Sequence, residues 1–498
     1  MLFASKPRRG RWWRRLGVLI VGALVAYGLL LIPGPEPPVL EGANREPFVW
    51  NQDELWSTLE REFRAAESAG CVAVSPAVDS SFAGLHEAIR VLDTDKLSPE
   101  DDRFDEVENR LFALGPLIGA CLDRLPEYVQ AYNQVRFHLK NQSHAWDMNA
   151  LATRQRMYRL IYGGRAAVEE LLLQADPTHV PAVVTAHPEP SATPSTELFG
   201  VRVHSGDLLL SRGNSSFSAL IARGHDYPGN FSHVALLHVD EDTREATVIE
   251  ADVVGGVKVR PAEEFLRHDK LRVLVLRLRA DLPLLLEDPL LPLRASTAAL
   301  HDAQTRRIPY DLEMNYRDHS RMFCSEVVLA AYEPYGVTLW TGMSFISGPG
   351  VVRWLSAAGV RNFETQEPSD LEYDPQLRVV AEWRDRENLF NDHVDNAIIE
   401  VLIESADAGE RITYHWAMLP VMRIVKAISR VFNLFGAEGP VPDAVSVHGA
   451  LLIREFDLRH ASIKATLLER ATAFRDREGY TPPYWELLEL VRDVRRME

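Results

Sequence analysis

FSHVALLHVDEDTREATVIEADV, residues 231–253, reads as two strands joined by a polar turn. HVALLHV and ATVIEADV carry the β-branched and apolar residues of buried strands, and the acidic stretch between them supplies the turn. His233 opens the first strand and Glu250 lies in the second. In an antiparallel hairpin the two can stand side by side on one sheet face. His238, five positions on, points to the opposite face. VHSGDLLLS (203–211) and KLRVLVLRLR (270–279) are further strand-like runs, set off by Gly, Asn and Asp clusters. A helical stretch follows at 296–305, and CSEVVLAAYEPYG reads as a helix from Cys324 that ends near Gly336. Strands and helices that do not strictly alternate predict an α+β fold with a mainly antiparallel sheet.

The flanks are helical and carry no recognisable chemistry. In 51–175, Trp56, Leu59, Phe63 and Ala66 recur at helical spacing, with Asn51 and Glu54 as a capping box. The stretch 176–197 is a Pro/Ser/Thr-rich linker. The strand-rich unit is placed at 198–365, and the rest of the chain, 366–498, returns to helices. Within it, 414–435 sets Arg423, Lys426 and Arg430 opposite Leu419, Met422, Ile428 and Val431. A helix packed on its neighbours with a solvated basic face is the preferred reading, and a helix lying on a membrane surface is the alternative.

A chain of 498 residues exceeds one hydrophobic core, so several units are expected. The net charge of −17 hides a basic start: Lys6, Arg8, Arg9, Arg11, Arg14 and Arg15 make residues 1–15 cationic and the remainder more acidic still. An acidic body without a basic stripe excludes nucleic acid as a partner. The apolar run 16–32 follows Trp12 and Trp13 and ends at a Pro-rich stretch within the linker 33–50. It reads as a single-pass transmembrane anchor in a bacterial inner membrane, N-terminus cytoplasmic and the catalytic unit periplasmic. A cleaved signal peptide is disfavoured, because no small-residue cleavage region precedes Pro33.

There are three cysteines, Cys71, Cys121 and Cys324. Cys71 and Cys121 lie in one helical region and are open to two readings, a disulfide or two buried thiols. Cys324 is left over, at the start of a helix, where backbone N–H groups and the helix dipole favour a thiolate. With His233 as base and Glu250 orienting the imidazole, the three residue types make up a triad for nucleophilic catalysis. No HExxH, CxxC, P-loop or dinucleotide fingerprint occurs, so neither a metal nor a cofactor is expected.

GDLLL (206–210), FSHVALL (231–237), VIEA (248–251), GGVKV (255–259), IPYD (308–311) and FCSEVV (323–328) occur in that order. Together they resemble the circularly permuted papain-like amidases of the YaeF/YiiX type, a permuted branch of the NlpC-type cysteine peptidase superfamily. The resemblance covers roughly 206–349. It implies a permuted papain-like catalytic unit with Cys324 as nucleophile, His233 as base, Glu250 as orienting residue and Tyr310 as an aromatic hydroxyl near the oxyanion. The expected activity is amide hydrolysis through a thioester, on a peptide, amide or lipid of the cell envelope. Thiol-dependent acyl transfer, and a non-catalytic envelope scaffold that keeps the fold, are the alternatives.

Overall fold

The computed structural model describes residues 9–32, 38, 40–48, 53–93, 96–176, 178, 180–435, 439–442 and 445–497. Its centre is a seven-stranded antiparallel sheet: β1 (Val183–Thr185), β2 (Leu208–Gly213), β3 (His233–Val239), β4 (Ala246–Asp252), β5 (Gly256–Pro261), β6 (Lys270–Leu278) and β7 (Leu377–Arg384). The order across the sheet is β1-β7-β6-β2-β3-β4-β5. The fold is thus α+β with an antiparallel sheet. β1 and β7 lie outside 198–365, so the sheet is wider than the strand-rich stretch legible in the sequence.

Both faces of the sheet are covered, which is why its strands read as nearly continuous apolar runs. Leu208, Leu210, Val234, Leu236, Ile249, Leu274 and Leu276 pack with Val327, Val328 and Leu329 of the helix Cys324–Tyr332. Leu209, Ala235, Leu237, Val248, Val273 and Val275 face the other way, onto Ala262 and Phe265 of the helix Ala262–Arg267. Each such side chain, once buried, contributes about 1.5–3 kcal/mol.

The N-terminal helices Cys71–Val91, Asp102–Ala120, Leu125–Ser143 and Gly164–Gln174 share a core that includes Phe82, Leu85, Phe104, Leu111, Tyr128 and Leu172. A disulfide joins Cys71 to Cys121. Asn51 of the expected capping box lies outside the described residues. Buried ion pairs tie these helices to the sheet. Arg272 of β6 reaches Glu169 at 2.6 Å on one side and Asp392, on the helix Arg386–Asp407, at 2.6 Å on the other. Arg165 pairs with Glu382 of β7 at 2.5 Å. A guanidinium buried without a carboxylate would cost several kcal/mol, so these pairs tolerate only one arrangement of the three regions.

The anchor and its inner-membrane placement are corrected by the structure. Among the described residues no helix is long and apolar enough to cross a membrane. The N-terminal helix Arg9–Leu31 has 23 residues, but its first part is rich in arginine. The apolar part, at 1.5 Å per residue, extends about 25 Å, short of the ~30 Å hydrocarbon core. Its C-terminal end meets the helix Leu419–Leu434, whose Arg423 guanidinium donates to the carbonyls of Leu29, Leu30 and Ile32 at 3.3, 3.0 and 2.7 Å. That second helix departs in part from the preferred expectation, although Leu419 is buried and Arg430 exposed as expected. Its apolar residues Val421, Ile424, Ile428 and Val431 are exposed, whereas Lys426 is buried and donates to the carbonyl of Pro442.

Candidate active site

β3 and β4 form the hairpin expected from 231–253, with Leu236 opposite Ile249 and Val239 opposite Ala246. The turn is held by Asp240, whose carboxylate accepts from the N–H groups of Asp242 and Thr243 at 3.0 and 2.8 Å. This register brings the His233 ring to Glu250: Nε2 and Oε2 are 2.6 Å apart. Glu250 is buried, and its other oxygen pairs with Arg260 on β5 at 2.6 Å. Burial alone would raise the Glu250 pKa. The hydrogen bond and charge of His233, with the charges of Arg260 and Lys270, outweigh it and hold the carboxyl at about 2.

Cys324 is the first residue of its helix and is buried. The side chain of Glu326, in the first turn, accepts from the N–H of Phe323 at 2.9 Å and so caps the helix start. Burial works against the thiolate that the helix position favours. Burial pushes the Cys324 thiol up to about 12, the negative charge of Glu367 adds to the rise, and N–H groups of Val234 and Ser325 oppose it only in part. Desolvation outweighs the helix dipole here because the thiol is withdrawn from water.

Tyr310 arrives by a separate route. Gly255 and Gly256 turn β4 into β5 with φ of 100° and 82°. A Cβ on Gly256 would collide with the carbonyl of Ile308, so only glycine allows the segment 308–311 to lie this close. The Val257 N–H donates to the Ile308 carbonyl at 2.9 Å. The same segment bridges Met322, just before the cysteine helix: Asp311 N–H donates to Met322 O at 3.1 Å and Met322 N–H to Pro309 O at 3.0 Å. Tyr310 and Cys324 thereby line one cavity of about 40 Å³, with Ser232, Phe323, Gln366 and Glu367. Burial raises the Tyr310 hydroxyl well above its ordinary pKa, so it is a neutral donor.

His233 and Glu250 are thus joined, and Tyr310 and Cys324 share a cavity. Among the described residues no hydrogen bond links the His233 imidazole to Cys324: the ring lies 6.2 Å from that of Phe265, whose cluster is on the other face of the sheet, and it is the chain neighbours of His233 that reach the site. Ser232 lines the cavity, and the Val234 N–H acts on the thiol. His238 stands elsewhere, 3.3 Å from the Ser296 hydroxyl. Four further residues were not singled out from the sequence. Arg260 was legible, two positions beyond Lys258, the register partner of Glu250. Lys270 ends a polar turn and gives no such signal. Gln366 and Glu367 come from a loop past 365, and only tertiary folding brings them to Cys324. Glu367 is buried, and the desolvation pushes its carboxyl up to about 8, with the charge of Asp370 adding to the rise.

No curated protein and no solved structure matches the chain. Residues 202–381, from just before β2 into β7, match the model of the permuted papain-like amidase enzyme family, YaeF/YiiX, C92 family.

Proposed function

We propose that the chain is a cysteine amidase in which Cys324 is the nucleophile, His233 the general base and Glu250 the residue that orients it. The observation that carries this reading is the 2.6 Å bond between His233 Nε2 and Glu250 Oε2, at the start of the strand whose Val234 N–H acts on the Cys324 thiol. Glu250 engages Nε2, so Nδ1 is the nitrogen that exchanges the proton, and the ring has to turn from Phe265 toward Cys324 to do so. Cys324 Sγ attacks the amide carbonyl carbon as its proton passes to His233. The C–N bond then breaks, and the amine leaves with that proton. Water, deprotonated by His233, attacks the thioester, and the acid and the free thiol are released. Tyr310, which lines the cavity with Cys324, donates to the oxyanion as it forms. Because the resting thiol lies at about 12, the proton has to move as the substrate binds and attack begins.

The substrate is an amide of a peptide or a lipid, and an acceptor other than water would give acyl transfer from the same thioester. The test is mass spectrometry of the protein mixed with an activated acyl anilide and quenched at short times. The expected result is an acyl adduct on Cys324 that is absent in Cys324→Ala and slow to form in His233→Ala. Release of aniline by Cys324→Ala at the parent rate would end this reading.

A further inference from the structure

A second cavity, of about 430 Å³, lies behind the one that holds Cys324. Its volume falls in the range of small-molecule sites, roughly 300–1,000 Å³. Phe217, Leu220 and Leu355 line both cavities and so form the partition between them. Leu220 and Leu355 are buried, whereas Phe217 is only half-buried. Most of the outer wall comes from beyond the family match, in the segment 412–419 and the helix Val447–Glu478. Ile412, Leu452 and Phe456 give that wall apolar surface, beside the polar side chains of Arg411 and His448. The indole N–H of Trp354, buried in the same lining, has no hydrogen-bond acceptor.

We infer that the outer cavity is an acyl-chain subsite, and that the preferred substrates are amides of long-chain acids whose carbonyl sits at Cys324 and whose tail passes Phe217 into the second cavity. The partition decides the chemistry. Phe217, Leu220 and Leu355 offer no hydrogen-bonding side-chain group, so a peptide crossing there would lose water from its N–H and C=O groups without replacement. A hydrocarbon chain loses nothing by the same passage and gains apolar burial. Phe217, the least buried of the three, is the side chain that moves to join the cavities. The inference rests on Cys324 as the attacking group only for the position of the carbonyl.

The test uses the full chain and a series of p-nitroanilides from butanoyl to hexadecanoyl. A parallel series of primary amides is titrated calorimetrically against Cys324→Ala. Affinity should rise roughly fourfold per methylene, as expected for burial of hydrocarbon, and then level off once the outer cavity is full. kcat/KM should follow the same course. Leu452→Trp and Ile453→Trp fill the outer cavity and should move the plateau to shorter chains in both series, with melting temperatures recorded as the control for folding. Affinity of Cys324→Ala that does not depend on chain length overturns the subsite, and this arm needs neither turnover nor a groove variant. Chain-length-dependent binding without any anilide hydrolysis keeps the subsite and overturns the amidase reading. Hydrolysis that ignores chain length does the reverse.

Discussion

Glu367→Gln should make the protein more stable at neutral pH, and the gain should vanish in acid. Glu367 is 3% exposed, lines the Cys324 cavity, and its Oε2 has no hydrogen-bond partner among the described residues. Its carboxyl stands at about 8 in the folded protein against an ordinary 4.5, because burial disfavours the anion. A carboxyl raised on folding leaves stability intact below pH 4.5, where both states are protonated, and erodes it as pH climbs toward 8. Each pH unit in that window costs about 1.4 kcal/mol, so at pH 7 the penalty is on the order of 3 kcal/mol. Glutamine keeps the shape and carries no titratable proton, so it removes the penalty. Urea melts of the parent and the variant at pH 4, 5.5, 7 and 8 measure the difference directly. The curves should coincide near pH 4 and separate steadily to pH 8. The variant should also lower the thiol pKa of Cys324, read from the pH dependence of alkylation, since one source of its elevation is gone. A constant stability difference across the whole pH range would refute the argument, because a mere packing change does not titrate.

Cys324→Ser should abolish turnover while the melting temperature stays near that of the parent, since Ser is well tolerated at a helix start; a collapsed melt would make the residue structural. At Glu250, turnover should fall in the order parent, Glu250→Gln, Glu250→Ala, His233→Ala, and parent-like rates in Glu250→Ala would remove it from the site. The depressed Glu250 carboxyl supplies stability that is present above pH 4.5 and lost as pH falls toward 2, so acid melts of Glu250→Gln should be flatter in that window. Glu169→Ala should cost about 3–5 kcal/mol in denaturant melts, because it leaves Arg272 buried with part of its pairing gone. Reducing Cys71–Cys121, which are 50 residues apart, should cost about 4 kcal/mol by the loop-entropy argument, read as a drop in melting temperature under reductant.

The hairpin around His233 and Glu250, the helix at Cys324 and the antiparallel α+β class were all legible in the sequence. Each depends on local pattern: strand runs, a polar turn, and a helix that starts at Cys324, runs to Tyr332 and is closed, after one 3-10 turn, by Gly336 in the left-handed region, φ 81°. Contacts between segments far apart in the chain were not legible. β1 and β7 join the sheet through pairing with partners that their own residues do not identify. Arg165 and Glu169, on the helix Gly164–Gln174, are buried because Arg272 of β6, Glu382 of β7 and His393 of Arg386–Asp407 meet them, and nothing local to the helix names those partners. Local pattern also misled at the N-terminus, where apolarity suggested a span and the short apolar length and the contact with Leu419–Leu434 decide otherwise. The sequence alone determined which residue types stand at the site and in what order. Tertiary structure decided their ionisation, because a pKa depends on desolvation and on charges in space. That is why the Cys324 thiol rises although its helix position favours the thiolate, and why Glu367, absent from every motif, is the charge that adds to the rise.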